Sequence, residues 1–106
     1  MILDRQAALE RIEQDVELYN EICGIFRADV PRLVALLKSS YADNDISTAT
    51  RHAHSIKSAA ANIGAAKLSD TARSAENALR SGELSAISTL IAKIDQNMSQ
   101  VLEALE

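Results

Sequence analysis

His54 and Lys57 are the two residues whose types and spacing could do chemistry together. They stand in the run His54-Ser55-Ile56-Lys57-Ser58-Ala59-Ala60-Ala61-Asn62-Ile63-Gly64, which places almost nothing bulky beside them. At roughly 100° per residue, a helix puts Ser47, Thr50, Arg51, His54, Lys57, Ser58 and Ala61 on one side. Ile46, Ala49, Ala53, Ile56, Ala60 and Ile63 share another side, a core stripe at steps of three and four. His54 lies about 130° from the centre of that stripe by the same arithmetic. Its ring is therefore expected in solvent, on a smooth and weakly basic face, as a nucleophile presented to another macromolecule.

A neutral imidazole offers a ring lone pair to an electrophile, and the unperturbed pKa of a histidine, about 6.5, keeps that form available near neutrality. Lys57, one turn further on, can set an ammonium beside incoming phosphoryl oxygens, because residues three apart on a helix are neighbours. Its role would be electrostatic. Arg51, one turn before, either orients phosphate or a partner carboxylate or is a solvated surface charge. Ser58 and Ala61 are small, Thr50 is of modest size, and Gly64 lies beyond. A partner surface thus has room to close over the ring and shield an acyl phosphate in transit from water.

Other titratable residues are read as structural. His52 falls nearer the core stripe, lacks a lysine three residues on, and is expected as a boundary packing residue. A His52–His54 metal pair is not expected, since residues two apart do not face each other on a helix. Asp70 and Glu76 are expected as solvated or helix-bridging charges without a special role, because nothing in the sequence sets them beside a nucleophile.

The elements that must position His54 are helices almost throughout. Eighteen alanines, twelve leucines and ten isoleucines stand against three glycines and one proline, and alanine and leucine favour helix. Asp4 can cap a short first helix running to about Gln14, with Ala8, Leu9 and Ile12 inward, as a lid on one end of the bundle. From Asp15 to about Ala42, Tyr19, Ile22, Phe26, Val30, Leu33 and Leu37 recur at helical steps. Pro31 predicts either a kink near Ala28 and Asp29 or two helices, the second capped by Asp29. The turn Asp43-Asn44-Asp45 leads to the His54 helix, capped by Asp45 or Ser47 and spanning about 46–62 before Gly64 closes it. A fourth helix carries Leu68, Ala72, Ala75 and Leu79 and stops at Ser81-Gly82. The last carries Leu84, Ile87, Ile91, Ile94, Met98, Val101 and Leu105 in alternating steps of three and four. The loops are short, which predicts an all-α, antiparallel up-and-down four-helix bundle with an additional short N-terminal helix, one domain over 1–106.

Composition bounds the setting. The 106 residues hold 47% hydrophobic and 25% charged side chains, with a net charge of −4, which argues against nucleic acid as partner. No apolar run approaches a membrane span and no secretory leader is legible, so the chain reads as cytoplasmic, with no membrane partner. The single Cys23 reads as a small packing residue. Residues 45–80 are mildly basic, with Arg51, Lys57, Lys67, Arg73 and Arg80 against Asp45, Asp70 and Glu76. That suits an acidic partner pocket, approached over Thr50, Arg51, Ser58, Ala61, Gly64, Lys67 and Arg73.

The pattern His54, Lys57, a small residue, then Asn62-Ile63-Gly64-Ala65 and Leu68, with Glu76 downstream, resembles the histidine-containing phosphotransfer (HPt) domains of multistep two-component signalling. Phe26 in the preceding helix, Asp45 before the histidine helix and Arg80-Ser81-Gly82-Glu83 after the next one resemble the family as well, and the likeness covers almost the whole chain. The resemblance implies that His54 accepts a phosphoryl group from a receiver-domain aspartyl phosphate and passes it to another receiver aspartate. It further implies that Lys57 stabilises the phosphoryl group and that Gly64 lies near the docking surface. Receiver domains and a hybrid sensor histidine kinase are the implied partners. The chain itself would need no cofactor and no metal, magnesium residing in the receiver, and would act as a monomeric covalent carrier rather than an enzyme. One departure is Ser58, where the family usually has glycine; its hydroxyl is small and could hydrogen-bond the phosphoryl oxygens. The other reading is an interaction-only helical bundle, either a degenerate phosphotransfer domain or a dimerising module.

Overall fold

The computed structural model describes all 106 residues, and every regular element in it is helical. The elements are α1 (Arg5–Arg11), α2 (Val16–Ala42), α3 (Ile46–Ile63), α4 (Ala66–Ser81) and α5 (Ile87–Ala104), the last preceded by a 3-10 turn over Leu84–Ala86. Aspartates start the first three. Asp4, Asp15 and Asp45 accept from the backbone N–H of Ala7, Leu18 and Thr48, which satisfies one orphan donor in each case. Gly64 and Gly82 end α3 and α4 in the left-handed conformation.

The long helices pack in chain order, α2 on α3, α3 on α4 and α4 on α5, and α5 returns against α2. The buried apolar cluster contains only two aromatic residues, Tyr19 and Phe26. Ala49, Ala53 and Ala60 on α3 and Ala72 and Ala75 on α4 are fully buried, and these two helices pack against each other. Small side chains let helices approach closely, and that approach is what brings α4 within reach of the His54 face.

Four expectations change in detail. The first helix ends at Arg11 rather than near Gln14, because the chain turns through Glu13 and Gln14 at positive φ. The segment Val16–Ala42 is a single helix running through Pro31, so the two-helix alternative fails and Asp29 caps nothing. Its buried face is Tyr19, Cys23, Phe26, Val30, Val34, Leu37 and Ser40, with Ile22 and Leu33 only half-buried. Leu84 is exposed in the 3-10 turn, outside the α5 stripe it was expected to start.

Gly64 is fixed by two constraints at once. It has φ of 85°, which favours glycine, and a Cβ added there would collide with the backbone carbonyl of Asp4. Its carbonyl also accepts the Asp4 N–H at 2.8 Å. The turn entering α1 is thereby seated on the end of α3, which matches the lid expected of that segment.

Tyr19 ties the start of α2 to the same end of α3, its hydroxyl donating to the Ile63 carbonyl at 2.8 Å. Burial, and then the neighbouring Cys23 side chain, push the phenol up to about 12. A group whose folded pKa is raised contributes stability below its unfolded pKa and loses it as pH rises through the folded value. Wild type is therefore expected to lose about 1 to 3 kcal/mol between pH 10 and 12 beyond any loss in Tyr19→Phe. Denaturant midpoints measured across that range check it, and parallel curves for the two proteins would contradict it.

Candidate functional site

His54 stands near the middle of α3, roughly two turns from either end, with its side chain 52% exposed. Directly across from it, α4 presents Glu76, whose side chain is only 5% exposed. The Glu76 carboxylate gathers three donors. Oε2 lies 3.0 Å from His54 Nδ1 and 2.7 Å from Arg80 Nη2, while Oε1 lies 3.0 Å from Lys57 Nζ. The Ser69 hydroxyl donates to the Lys57 carbonyl at 3.0 Å, pinning α4 to α3 one turn along.

Burial alone would push the Glu76 carboxyl up, but the hydrogen bonds from Lys57, His54 and Arg80 together more than offset that and hold it below its ordinary range. Glu76 is therefore an anion at neutral pH, and an ionised carboxylate can only accept hydrogen bonds. It follows that Nδ1 of His54 carries the proton, and in the neutral ring the lone pair then resides on Nε2. No protein group hydrogen-bonds Nε2. The arrangement leaves one nucleophilic nitrogen free, with its ring held by an anion behind it.

Of the two roles expected for Glu76, the helix-bridging one holds and the solvated one does not: it ties α4 to α3 as the buried centre of the cluster, and it lies beside the histidine, where the sequence set it beside no nucleophile. Its sequence signal is its phase, four residues after Ala72 and three before Leu79, inside the apolar stripe of α4. Arg80, one turn on, figures in the sequence only among the basic residues of 45–80 and in the segment after the fourth helix, with nothing there to set it beside the histidine. Asp70 does remain a surface charge, paired with Arg73 at 3.0 Å. His52 is half-buried, the boundary position its phase predicted.

Of the residues expected around the histidine, Arg51 and Ser58 are exposed within one turn of it, and Thr50 is half-buried with its hydroxyl bound to the Ile46 carbonyl at 2.7 Å. Ala61, Gly64 and Arg73 lie elsewhere, together lining a hollow of about 230 Å³ under α1, next to Arg11 and Asp4. Gly64 is buried there beneath the Asp4 turn, so it serves the helix end rather than an open surface. Lys67 is exposed on the first turn of α4 and joins neither group.

A larger groove of about 360 Å³ opens on the other flank of α3, between Ser55, Ala59 and Asn62 and the α2 residues Ile22, Ile25, Phe26, Asp29, Arg32 and Leu33. These α3 positions fall about 100° around the helix from His54, away from Glu76. Ile25 is exposed there. Sequence reasoning placed no docking residue on α2, although the spacing of Ile22, Ile25, Asp29 and Leu33 marks a second helical stripe beside the core one.

The sequence profile of the Hpt domain matches residues 21–104, which contain the whole of the His54 cluster. The chain belongs to the Hpt domain family. Its fold is also that of the crystal structure of histidine-containing phosphotransfer protein B (HptB) from Pseudomonas aeruginosa PAO1, with a TM-score of 0.89 at 23% identity, covering 98% of this chain and 90% of that one. None of the curated proteins matches the chain in sequence. As an Hpt domain it keeps histidine and lysine one turn apart on α3 and adds the buried Glu76 from α4. No helix of the domain is long and apolar enough to cross a membrane.

Proposed function

We propose that this Hpt domain is a phosphorelay carrier: Nε2 of His54 takes a phosphoryl group from the aspartyl phosphate of one receiver domain and hands it to the aspartate of another. The observation that carries this reading is the 3.0 Å contact of His54 Nδ1 with the buried, ionised Glu76, which leaves Nε2 as the free nucleophile. The transfer balances without a proton moving. The Nε2 lone pair bonds to phosphorus, the P–O bond to the aspartyl group breaks, and its electron pair leaves on the receiver carboxylate. The Nδ1 proton stays, so the ring gains positive charge as the P–N bond forms. Glu76 faces that developing charge from behind the ring, where its own burial makes a fixed anion worth more than in solution. The second transfer is the same step in reverse onto a new carboxylate.

The scaffold for this chemistry is an antiparallel up-and-down four-helix bundle with α1 as accessory. Lys38–Asp95 at 2.6 Å and Arg27 Nη2 to the Leu105 carbonyl at 3.0 Å support opposite directions for α2 and α5. Thr50, Arg51 and Ser58 border the docking surface for the receivers, with the α2–α3 groove on one flank and Ala61, Lys67 and Arg73 toward the last turn of α3 and the first half of α4. A hybrid sensor histidine kinase supplies the phosphoryl group upstream. In this reading magnesium and the acidic pocket come with the receiver, the partners supply the catalysis, and the domain acts as a monomeric carrier in the cytoplasm.

The test is transfer itself. After incubation with a phosphorylated receiver domain, an acid-labile, base-stable label is expected on this chain; if none forms, the reading fails. Lys57→Ala is expected to slow transfer or to shorten the phosphohistidine lifetime by about tenfold, the scale of one charge-assisted hydrogen bond. Thermal unfolding should stay cooperative, because Lys57 is partly exposed, at 25%. Unchanged kinetics would remove its electrostatic role.

A further inference from the structure

Lys57 has two anions to serve once His54 is phosphorylated. In the resting domain its ammonium is 3.0 Å from Glu76 Oε1. The phosphoryl group on Nε2 is a dianion one helical turn away, and a lysine turned toward it gives up part of its contact with Glu76. The carboxylate, with 5% of its side chain exposed, then keeps the ring at Oε2 but loses its cation at Oε1, which is costly unless a second cation stays beside it, since the ring's charge is shared with its own phosphoryl group. Arg80 is the group that can remain. It sits one turn along α4, its side chain is 63% exposed and so outside the packed core, and it donates to Oε2, the oxygen that also holds His54 Nδ1. Lys57, on the other oxygen, can leave without disturbing that contact.

We propose that Arg80 is a positioning residue for phosphotransfer: it keeps Glu76 paired and aligned on His54 Nδ1, and so frees Lys57 for the phosphoryl group. This rests on the carrier function proposed above and adds a residue to it. Without Arg80, Glu76 retains Lys57, and the phosphoryl group loses its cation. The phosphorylated state then decays faster: water bonds to phosphorus, the P–Nε2 bond breaks with its electron pair returning to the ring, and inorganic phosphate leaves.

The experiment loads the intact chain with phosphoramidate, a chemical donor that needs no receiver, and follows the loss of phosphohistidine. Arg80→Gln is expected to shorten the lifetime about three- to tenfold, within the range of coupling between side chains in contact, and Arg80→Lys to restore part of it. The deciding comparison repeats Arg80→Gln in a Glu76→Gln background. There the loss of Arg80 should change nothing, because the anion through which it acts is gone. The ¹⁵N shifts of His54 should move toward a mixture of ring tautomers in Arg80→Gln alone, which a merely structural role would leave in place. If Arg80→Gln decays as wild type does, or if its effect persists in Glu76→Gln, the positioning role is overturned. A chain that takes no phosphoryl group on His54 from phosphoramidate or from any receiver instead overturns the carrier function beneath it.

Discussion

His54→Gln is expected to abolish the phosphoryl label altogether, a loss of at least about a thousandfold, because the variant has no nucleophilic nitrogen at all. Glutamine is the informative replacement. Its amide nitrogen can still donate to Glu76 Oε2, so the buried carboxylate keeps a partner where His54 Nδ1 now sits at 3.0 Å. The site is half-exposed, and the change in folding stability should stay within about 1 kcal/mol. Loss of transfer with an unchanged unfolding midpoint then isolates chemistry from packing. His52→Gln is the control. That residue is half-buried two positions away, hydrogen-bonds nothing in the cluster, and its replacement should leave transfer as in wild type. If His54→Gln still carries an acid-labile label, the nucleophile has been assigned to the wrong residue.

How far the sequence discloses this site depends on which contacts are local. The stripe of α3 follows from spacing within one helix, and Ala49, Ala53, Ile56, Ala60 and Ile63 are all fully buried as that spacing predicts. The exposure of His54 follows from the same phase. On α2 the phase is right, and Cys23 packs as its position predicts, but the boundary is not: the helix packs against both α3 and α5, its buried arc takes in Val34, and Ile22 and Leu33 fall at the edge that lines the groove. Pro31 leaves two outcomes open in the sequence because spacing cannot decide between them. Proline costs a helix one donor, and the 27-residue α2 runs on through it as one helix, packed against α3 and α5. Glu76 is the least legible residue. A carboxylate in an apolar stripe stays buried only if cations meet it, and those cations come mostly from another helix. Only the register of α4 against α3 brings His54 and Lys57 to it, and no spacing within α4 encodes that register. The turn at Glu13 and Gln14 was illegible too, since neither residue announces a positive φ as glycine would.

Glu76→Gln is expected to slow transfer from a phosphorylated receiver about 10- to 100-fold, roughly 1.4 to 3 kcal/mol of transition-state stabilisation. The amide keeps the volume and can still accept from Nδ1, so His54 stays in place; what disappears is the negative charge facing the ring as it becomes positive. The substitution also sets an amide N–H against Lys57 or Arg80 where an oxygen stood, and those two partly exposed cations can turn to solvent. A second consequence appears in acid. The folded pKa of Glu76 lies below its ordinary 4.5, so on acidification the unfolded chain takes up its proton first. The stabilisation is therefore complete above about pH 4.5 and drains away as pH falls through the lower, folded value. Glu76→Gln has no such group to titrate, and its stability should fall less steeply below pH 5 than that of wild type. Denaturant midpoints at neutral pH and at several points below pH 5, set beside the transfer rates, test both halves. A variant that transfers at the wild-type rate would leave Glu76 as no more than an internal salt-bridge partner. One that transfers slowly but shows an acid profile parallel to wild type would mean that the carboxylate is not held ionised by its three donors.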